Sequence, residues 1–204
     1  MKVELSAIDF SLDTSRPIQA HNQTTKEQIY DSTQVDSDEY IEIDTIEAVD
    51  KYFNYTRDYN EALGDVVMLQ SVADKDNLPA NVEIHEFANG IYTIMLPQNC
   101  KGLFKDCKHL RNITIEGTDC YDVYTTESMF ENCRLLESVN LREAKGLCGV
   151  ENTSKMFKGC SSLRVVEFPE EQNEKDLIKD YSGMYEGCEI LEYKDTHWMN
   201  ITYK

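Results

Sequence analysis

Apolar residues recur at a nearly constant period in the second half of the chain. Four segments align on a cysteine, with an aromatic residue three positions before it and a leucine three positions after it. The aligned cysteines lie 26, 27 and 28 residues apart. Because one such unit cannot bury its apolar edge alone, the period predicts stacked rungs of a repeated unit. The three columns are Phe104, Phe130, Phe157 and Tyr185; Cys107, Cys133, Cys160 and Cys188; and Leu110, Leu136, Leu163 and Leu191.

Each repeat also carries the pattern of a short strand. Positions six and eight after the cysteine are apolar in the first three units and alternate with other residues, which predicts one strand per rung. Stacked rungs then form a parallel sheet with strands about 4.8 Å apart. In the fourth unit these positions are Lys194 and Thr196, so we expect a terminal cap covered by the tail around Trp198. The apolar pairs are Ile113 and Ile115, Val139 and Leu141, and Val166 and Phe168.

Positions five, seven and nine after each cysteine are expected to point outward from this sheet. They form a polar strip of mixed charge without the aromatic anchor that dominates tight interfaces. A solvated face is the first interpretation, and a polar protein surface or a glycan is the ligand that would suit it if it binds. The positions are Asn112, Thr114 and Glu116; Ser138, Asn140 and Arg142; and Val165, Glu167 and Pro169.

The first half shows weaker patterns. Residues 1–10 have the apolar spacing of an edge strand, and the polar residues 11–38 predict a loop or an extended arm. From Thr45 to Gly64, apolar and tyrosine residues recur at steps of three and four, with Thr45 available as N-cap and Gly64 as stop. This spacing predicts one amphipathic helix containing Ile46, Val49, Tyr52, Phe53 and Leu63.

Two further elements precede the repeats. The apolar run over 65–72 favours a strand. The segments VEIHEF and IYTIMLP flank Ala88-Asn89-Gly90, and Asn and Gly accept the positive φ angles of a tight turn. The sequence therefore predicts a β-hairpin that ends at Pro97.

The charge of the chain excludes some classes of binding partner. The 204 residues carry a formal net charge of −18, and residues 1–100 hold 19 acidic against 6 basic side chains. This balance argues against nucleic acid or an anionic membrane as partner, since both require clustered positive charge. One segment, 34–50, has no basic residue and is interpreted as a solvated strip, with a docking strip for a basic partner or a weak cation site as alternatives. Its acidic residues are Asp36, Asp38, Glu39, Glu42, Asp44, Glu47 and Asp50.

The seven cysteines do not indicate catalytic chemistry. The N-terminal residues lack the apolar run of a signal peptide, and an odd number of cysteines favours reduced thiols over a disulfide framework. None forms a Cys-x-x-Cys pair, so no metal site is predicted, and no phosphate-binding glycine loop occurs. Cys148, in the segment Gly-Leu-Cys-Gly, is the one candidate nucleophile, and His85 is the histidine that a separate substitution would test as its base. We predict no catalytic, cofactor-binding or metal residues, and no cofactor; a cysteine-dependent hydrolase is the remote alternative.

The repeat motif resembles a known family. Met-Phe-x-x-Cys-x-x-Leu, with Ser154 and Ser182 just before Met156 and Met184, resembles the BspA-like leucine-rich repeats of about 26 residues over residues 91–195. The resemblance implies a non-enzymatic solenoid for recognition or adhesion, common in bacteria of the gut and mouth, in some parasites, and in phages of those bacteria.

Together these observations predict an α+β fold. A short leucine-rich-repeat-type solenoid with a stacked parallel β-sheet follows a small acidic α/β region. The expected divisions are 1–44 (strand and arm), 45–80 (helix and short strand) and 81–204 (hairpin cap, repeats and C-terminal cap).

The expected function is a structural or recognition protein that contacts protein partners in a larger assembly, such as a phage virion. A bacterial surface adhesion module is the alternative. Partners would be protein, as a homo-oligomer or as a subunit of a larger assembly, with a glycan or host surface as a further option. Neither nucleic acid nor a membrane is expected. The absence of a signal peptide predicts a virion or cytoplasmic location, with the cell surface as alternative.

Overall fold

The computed structural model describes residues 38–85, 87–88, 92–117, 123–169 and 178–194. These residues all belong to one compact unit, Thr33–Lys204. The predicted strand over 1–10, the arm up to residue 37 and the tail around Trp198 lie outside the described residues. Among the described residues, no helix is long and apolar enough to cross a membrane.

The described residues form ten strands, one α-helix and one 3-10 helix. The strands divide between two sheets, one of six parallel strands and one of four mixed strands. In chain order the elements are β1 (Tyr40–Ile43), α1 (Ile46–Tyr52), β2 (Phe53–Asn60), β3 (Gly64–Val72), β4 (Asn81–His85), β5 (Phe87–Ala88), β6 (Tyr92–Met95), β7 (Asn112–Glu116), β8 (Ser138–Asn140), the 3-10 helix (Lys145–Gly149), β9 (Val165–Glu167) and β10 (Tyr193–Lys194).

The six-stranded sheet confirms the α+β solenoid. Its order is β1-β4-β7-β8-β9-β10, and every neighbouring pair is parallel. Each repeat contributes one strand, and Asn112, Ser138 and Val165 are partners in adjacent strands. The apolar positions of each repeat strand face the interior, as the alternation predicts.

The repeat columns form the core of the solenoid. The Phe104, Phe130 and Phe157 rings stack at centroid distances of 5.2 and 5.5 Å, with interplanar angles of 5° and 2°. Tyr185 continues the stack at 5.7 Å. Near-parallel rings in adjacent rungs require the same rotamer in every repeat, so this column both fills the interior and aligns the rungs.

A backbone column that sequence reasoning missed lies directly before each cysteine. Asp106, Asn132, Gly159 and Gly187 all have positive φ, between 63° and 82°. Asp, Asn and Gly are the residues that adopt this left-handed conformation at least cost. A Cβ added at Gly159 would lie 2.8 Å from the side-chain oxygen of Asn132, so that rung also needs the glycine for space.

The parallel sheet begins well before the first repeat cysteine. β1 pairs with β4, and β4 pairs with β7, so two strands outside the repeat motif extend the sheet of the solenoid. The acidic segment predicted to be a solvated strip therefore includes a strand. Its inward residue Ile43 is buried, while Tyr40 and Glu42 lie on the outer face.

The helix predicted from Thr45 to Gly64 is much shorter in the structure. Thr45 is the N-cap, since its side chain accepts a hydrogen bond from the Ala48 amide, but the helix ends at Tyr52. β2 follows at once and pairs antiparallel with β3. The residues of β2 are rich in aromatic and β-branched types that favour strands. The prediction was wrong from Phe53 onward because pairing with β3 overrides the helical spacing of the tyrosines.

The predicted hairpin forms only near its turn. β5 pairs antiparallel with β6, as expected for segments that flank Asn89-Gly90. The preceding residues of VEIHEF lie in β4, which is a central strand of the parallel sheet. β6 in turn pairs parallel with β3, which confirms the strand predicted over 65–72. The prediction was wrong in assigning VEIHEF to a single hairpin.

One hydrophobic core runs through both sheets. The Phe53 ring of β2 packs edge-to-face against Phe104 with the ring centroids 6.0 Å apart, and the Val72 amide donates to the Leu103 carbonyl. The first repeat rung is thus covered by the four-stranded sheet. The predicted divisions at residues 44 and 80 stay a prediction.

Candidate interaction surface

The outer face of the six-stranded sheet carries two rows of side chains in register. Alternation of the side chains along each strand places them on one face, and the parallel pairing aligns them from strand to strand. The first row is Tyr40, Asn81, Asn112, Ser138 and Val165, and the second row is Glu42, Glu83, Thr114, Asn140 and Glu167.

Hydrogen bonds join the first row across three strands, β8, β7 and β4, and continue to the residue before β1. The Ser138 hydroxyl donates to the Asn112 side-chain oxygen at 2.6 Å, and the Asn112 amide donates to Asn81 at 2.7 Å. The Asn81 side chain then donates to the Glu39 carbonyl at 3.0 Å. Because each amide is held by its neighbour on the next strand, this part of the face is ordered before any partner arrives.

The predicted outward positions are largely confirmed. Asn112, Ser138 and Val165 have the exposed or half-buried side chains that the repeat pattern assigns to them. Arg142 is exposed and donates to Glu167 at 3.0 Å. Pro169 is the exception, since it is buried. β9 ends at Glu167, so the alternation no longer applies two residues later.

One end of the face is acidic and carries an aromatic residue. Tyr40 is 53% exposed and donates hydrogen bonds to Glu83 and Glu42. The Glu83 carboxylate, as acceptor, raises the pKa of Tyr40 well above its usual value. His85 lies between Glu83 and Glu116, with one ring nitrogen toward each carboxylate. Sequence analysis missed this cluster because β1 and β4 precede the repeats.

Ion pairs connect neighbouring rungs outside these two rows. Lys105 and Glu131, one repeat apart, lie 2.8 Å from each other, and the Lys105 ammonium lowers the pKa of Glu131. Several further pairs have the same spacing, so a basic residue one repeat before an acidic one is a signal that the sequence offered. They are Lys101 with Glu127, Arg111 with Glu137, Lys158 with Glu186, and Arg164 with Glu192.

A cavity of about 490 Å³ lies beside the turns that precede and follow the repeat cysteines. Its lining is of mixed charge and includes Leu135, an exposed apolar side chain. Asn132 donates to Asp106 at 2.9 Å across two rungs of this wall. The lining residues are Asp106, Lys108, Asn132, Arg134 and Leu135.

The repeat cysteines are thiols that bond to the neighbouring rung. The Sγ atoms of Cys133 and Cys160 donate to the carbonyls of Phe104 and Phe130, each at 3.0 Å. Burial raises the pKa of Cys160, and a hydrogen bond with Cys133 together with burial raises that of Cys107. A protonated, buried thiol is a poor nucleophile and metal ligand. These cysteines therefore act in packing and in hydrogen bonding between rungs.

The residues considered for cysteine chemistry lie on different elements. Cys148 is in the 3-10 helix Lys145–Gly149 and is half-buried, whereas His85 ends β4 on the outer face of the sheet. The His85 ring lies beside the Glu83 and Glu116 carboxylates.

Comparison with known proteins gives little beyond this geometry. No protein family matched the chain, and no curated protein was found to be similar to it. A solved structure with a distant likeness is the crystal structure of the T. pallidum leucine-rich repeat protein TpLRR, at 18% identity and a TM-score of 0.26. That match covers 69% of this chain and 88% of the other. The leucine-rich-repeat-like solenoid is assigned here from the rungs themselves: one strand, one leucine column and one parallel sheet.

Proposed function

We propose that this chain is a non-catalytic platform that presents the outer face of its six-stranded sheet to a protein partner. The observation that carries the proposal is the register of the two rows across five strands, β1 to β9 of the six-stranded sheet, which places roughly 19 Å between the outermost of these strands. Solenoids of stacked repeats commonly use such extended, regular surfaces for binding. The hydrogen-bonded row from Ser138 to Asn81 supports this use, because an ordered face loses little entropy on docking.

We expect the acidic end of the face to contribute most of the binding energy of the contact. Tyr40 supplies a large exposed ring whose hydroxyl is held by two carboxylates, and tyrosine is among the residues enriched at binding hot spots. Glu42 and Glu83 accept from this hydroxyl, and Glu116 adds a further negative charge beside His85. A partner with a basic surface complements this end and the net charge of the chain.

We further propose that the platform is a subunit of a larger assembly, with a bacteriophage virion (capsid-decorating, fibre or tail-associated) as the first candidate. The support is the resemblance of the repeats to BspA-like leucine-rich repeats, which occur in phages of gut and oral bacteria. The same resemblance supports a bacterial cell-surface adhesion module as the alternative. A homo-oligomer and a glycan ligand are further possibilities, which sedimentation and glycan-array measurements distinguish.

The experiment compares two exposed tyrosines. Tyr40→Ala removes the proposed anchor, whereas Tyr124→Ala removes a ring of similar exposure, 49%, that lies outside the two rows. The full chain is mixed with purified phage particles or host-cell envelopes, and bound protein is measured after sedimentation. We expect Tyr40→Ala to weaken binding at least tenfold and Tyr124→Ala to leave it unchanged. A chain that stays monomeric and sediments with neither preparation, or equal losses in both variants, would contradict the proposal.

A further inference from the structure

We propose that Glu83, His85 and Glu116 form a binding site for a divalent metal ion of the zinc class. One ligand atom from each residue lies within 4.8 Å of the other two. The site is at the acidic end of the outer face. The inference goes beyond the platform function and does not rest on it, since the cluster is defined by its own donor atoms.

The sheet itself brings the three residues together. Glu83 and His85 are two positions apart on β4, so their side chains leave the same face of the strand. Glu116 is the register partner of His85 on the adjacent parallel strand β7. The donors thus project from two hydrogen-bonded strands of one sheet, and sites on such elements are held more firmly than sites on loops.

The distance between His85 and Glu116 fits a small tetrahedral ion, and Glu83 lies close enough to complete the site. His85 Nδ1 lies 3.4 Å from Glu116 Oε2, and His85 Nε2 lies 3.9 Å from Glu83 Oε1. Two ligands bound tetrahedrally to zinc at about 2.1 Å are separated by about 3.4 Å. Binding through one imidazole nitrogen therefore requires only that the flexible Glu83 carboxylate turn toward that nitrogen. All three side chains are partly exposed, so the ion can enter from solvent.

The charge of the cluster is an independent indication of a cation. Seven carboxylates in the described part of the solenoid lie within 4 Å of a Lys or Arg nitrogen on a neighbouring rung, whereas the nitrogen-bearing side chain at that distance from both Glu83 and Glu116 is His85. Tyr40 contributes a neutral hydroxyl, and Glu42 adds a third carboxylate one strand away. A divalent cation would offset this concentration of negative charge. The Lys and Arg pairs used for comparison are Lys101–Glu127, Lys105–Glu131, Arg111–Glu137, Arg142–Glu167, Lys158–Glu186, Arg164–Glu192 and Lys179–Glu151.

The donor set selects the metal. An imidazole with two carboxylates suits Zn²⁺ and other late first-row ions, whereas Mg²⁺ and Ca²⁺ prefer oxygen donors alone. Three protein ligands leave the fourth position of a tetrahedral ion open. A water molecule, or a side chain of a docked partner, would complete the coordination.

The test uses the full chain, freed of metal with a chelator, and Zn²⁺ as the probe in calorimetric titrations at pH 7. We expect one equivalent to bind with micromolar or tighter affinity, and a large excess of Mg²⁺ not to displace it. His85→Gln and Glu116→Gln should each weaken binding at least tenfold. Co²⁺ substitution should give a spectrum without thiolate charge-transfer absorption, which separates this site from the cysteines.

Glu167→Gln is the matched control. It also removes one carboxylate from the outer face, but that carboxylate pairs with Arg142 at the far end of the second row. We expect this variant to bind Zn²⁺ as the wild type does. Circular dichroism of each metal-free variant verifies folding, and because two ligands are replaced separately, one misfolded variant leaves the other as the test. Absence of binding, thiolate absorption, or undiminished binding in the folded ligand variant would overturn the proposal.

Discussion

The two sheets of this protein are built in different ways. In the six-stranded sheet all pairs are parallel, and β7 to β10 each come from one copy of the repeat. In the four-stranded sheet, β3 pairs antiparallel with β2 and parallel with β6, and the β2–β3 register shifts between Asn54 and Tyr55. The repeat strands meet the same environment in every rung, whereas each strand of the mixed sheet has its own.

This difference determines which positions tolerate substitution. A repeat column must satisfy one side-chain position and one backbone conformation in every rung, so Phe104, Phe130 and Phe157 stack with nearly parallel rings. β2 is an edge strand whose residues are mostly exposed, and its side chains meet no such requirement. Equal substitutions in the two regions should therefore have unequal effects.

The largest effect is expected in the aromatic column. Phe157→Ala should reduce the free energy of unfolding by about 3–5 kcal/mol, because the lost ring leaves a cavity between two rungs. Leu163→Ala, in the leucine column, should cost about 2–5 kcal/mol. Denaturant unfolding measures both values.

The controls for these truncations are exposed residues of both sheets. Tyr59→Ala, in β2, removes a ring that is mostly exposed, and Asn140→Ala and Glu167→Ala alter the outer face of the parallel sheet. Each should change stability by no more than about 0.5 kcal/mol. Similar losses in the core and control variants would disprove the column assignment.

A smaller effect is expected from two glycines with almost the same backbone angle. Gly159 in the repeats has φ +78°, and Gly64 at the β2–β3 turn has φ +76°. Alanine at either site is strained by about 1–2 kcal/mol because left-handed backbone disfavours a Cβ. At Gly159 the Cβ also meets Asn132 at 2.8 Å, whereas nothing lies within 4 Å at Gly64.

We therefore expect Gly159→Ala to destabilise the protein by roughly 1 kcal/mol more than Gly64→Ala. Thermal unfolding of the two variants, side by side, measures the difference. Equal midpoints would mean that close packing between rungs adds nothing to the backbone requirement.

The smallest effect concerns ion pairs and depends on pH. The hydrogen bond from Lys105 lowers the pKa of Glu131 in the folded state, and the Glu131 side chain is 15% exposed. Glu131→Gln should lower stability by about 0.5–1 kcal/mol at pH 7. Because the pKa of Glu131 is lower in the folded state than in the unfolded state, where it is about 4.3, the charged carboxylate stabilises the fold above pH 4.3. The stability difference between wild type and Glu131→Gln should therefore fade as the pH falls below about 4.3.

The comparison for this pair is a more exposed ion pair in which the acidic residue lies outside the repeats. Asp76, between β3 and β4, pairs with Lys108 while both side chains are about two-thirds exposed. Asp76→Asn should change stability by less than about 0.5 kcal/mol at pH 7. A Glu131 difference that persists unchanged at pH 3 would show that its origin is packing and not charge.

The sequence predicted the repeat region well because its signals are local and repeated. Cys133, for example, is placed by the same neighbours as Cys160, and each confirms the register of the other. The thiol hydrogen bonds to the preceding rung were not predicted, since they depend on the distance between rungs. The left-handed column before the cysteines was present as Asp106, Asn132, Gly159 and Gly187 but needed φ angles to be recognised.

The first half was predicted less well because its elements are defined by distant partners. Phe53 fits the helical spacing of Ile46 and Val49, yet it begins a strand that pairs with β3. VEIHEF fits a hairpin, but β4 finds partners in β1 and β7. For the same reason the outer positions of the repeats were predicted, whereas Tyr40, Glu83 and His85 could not be placed on that face.

By itself, the sequence determined the rungs, their interior columns and the outward rows of the repeat strands, because a fixed period specifies side-chain direction and neighbour at once. Only the tertiary structure decided that β1 and β4 lengthen the parallel sheet and that α1 stops at Tyr52. The physical reason is that a strand is completed by backbone hydrogen bonds to another segment, and local sequence does not say which segment that is. The acidic end of the outer face forms because β4 pairs with β7, which places Glu83, His85 and Glu116 side by side.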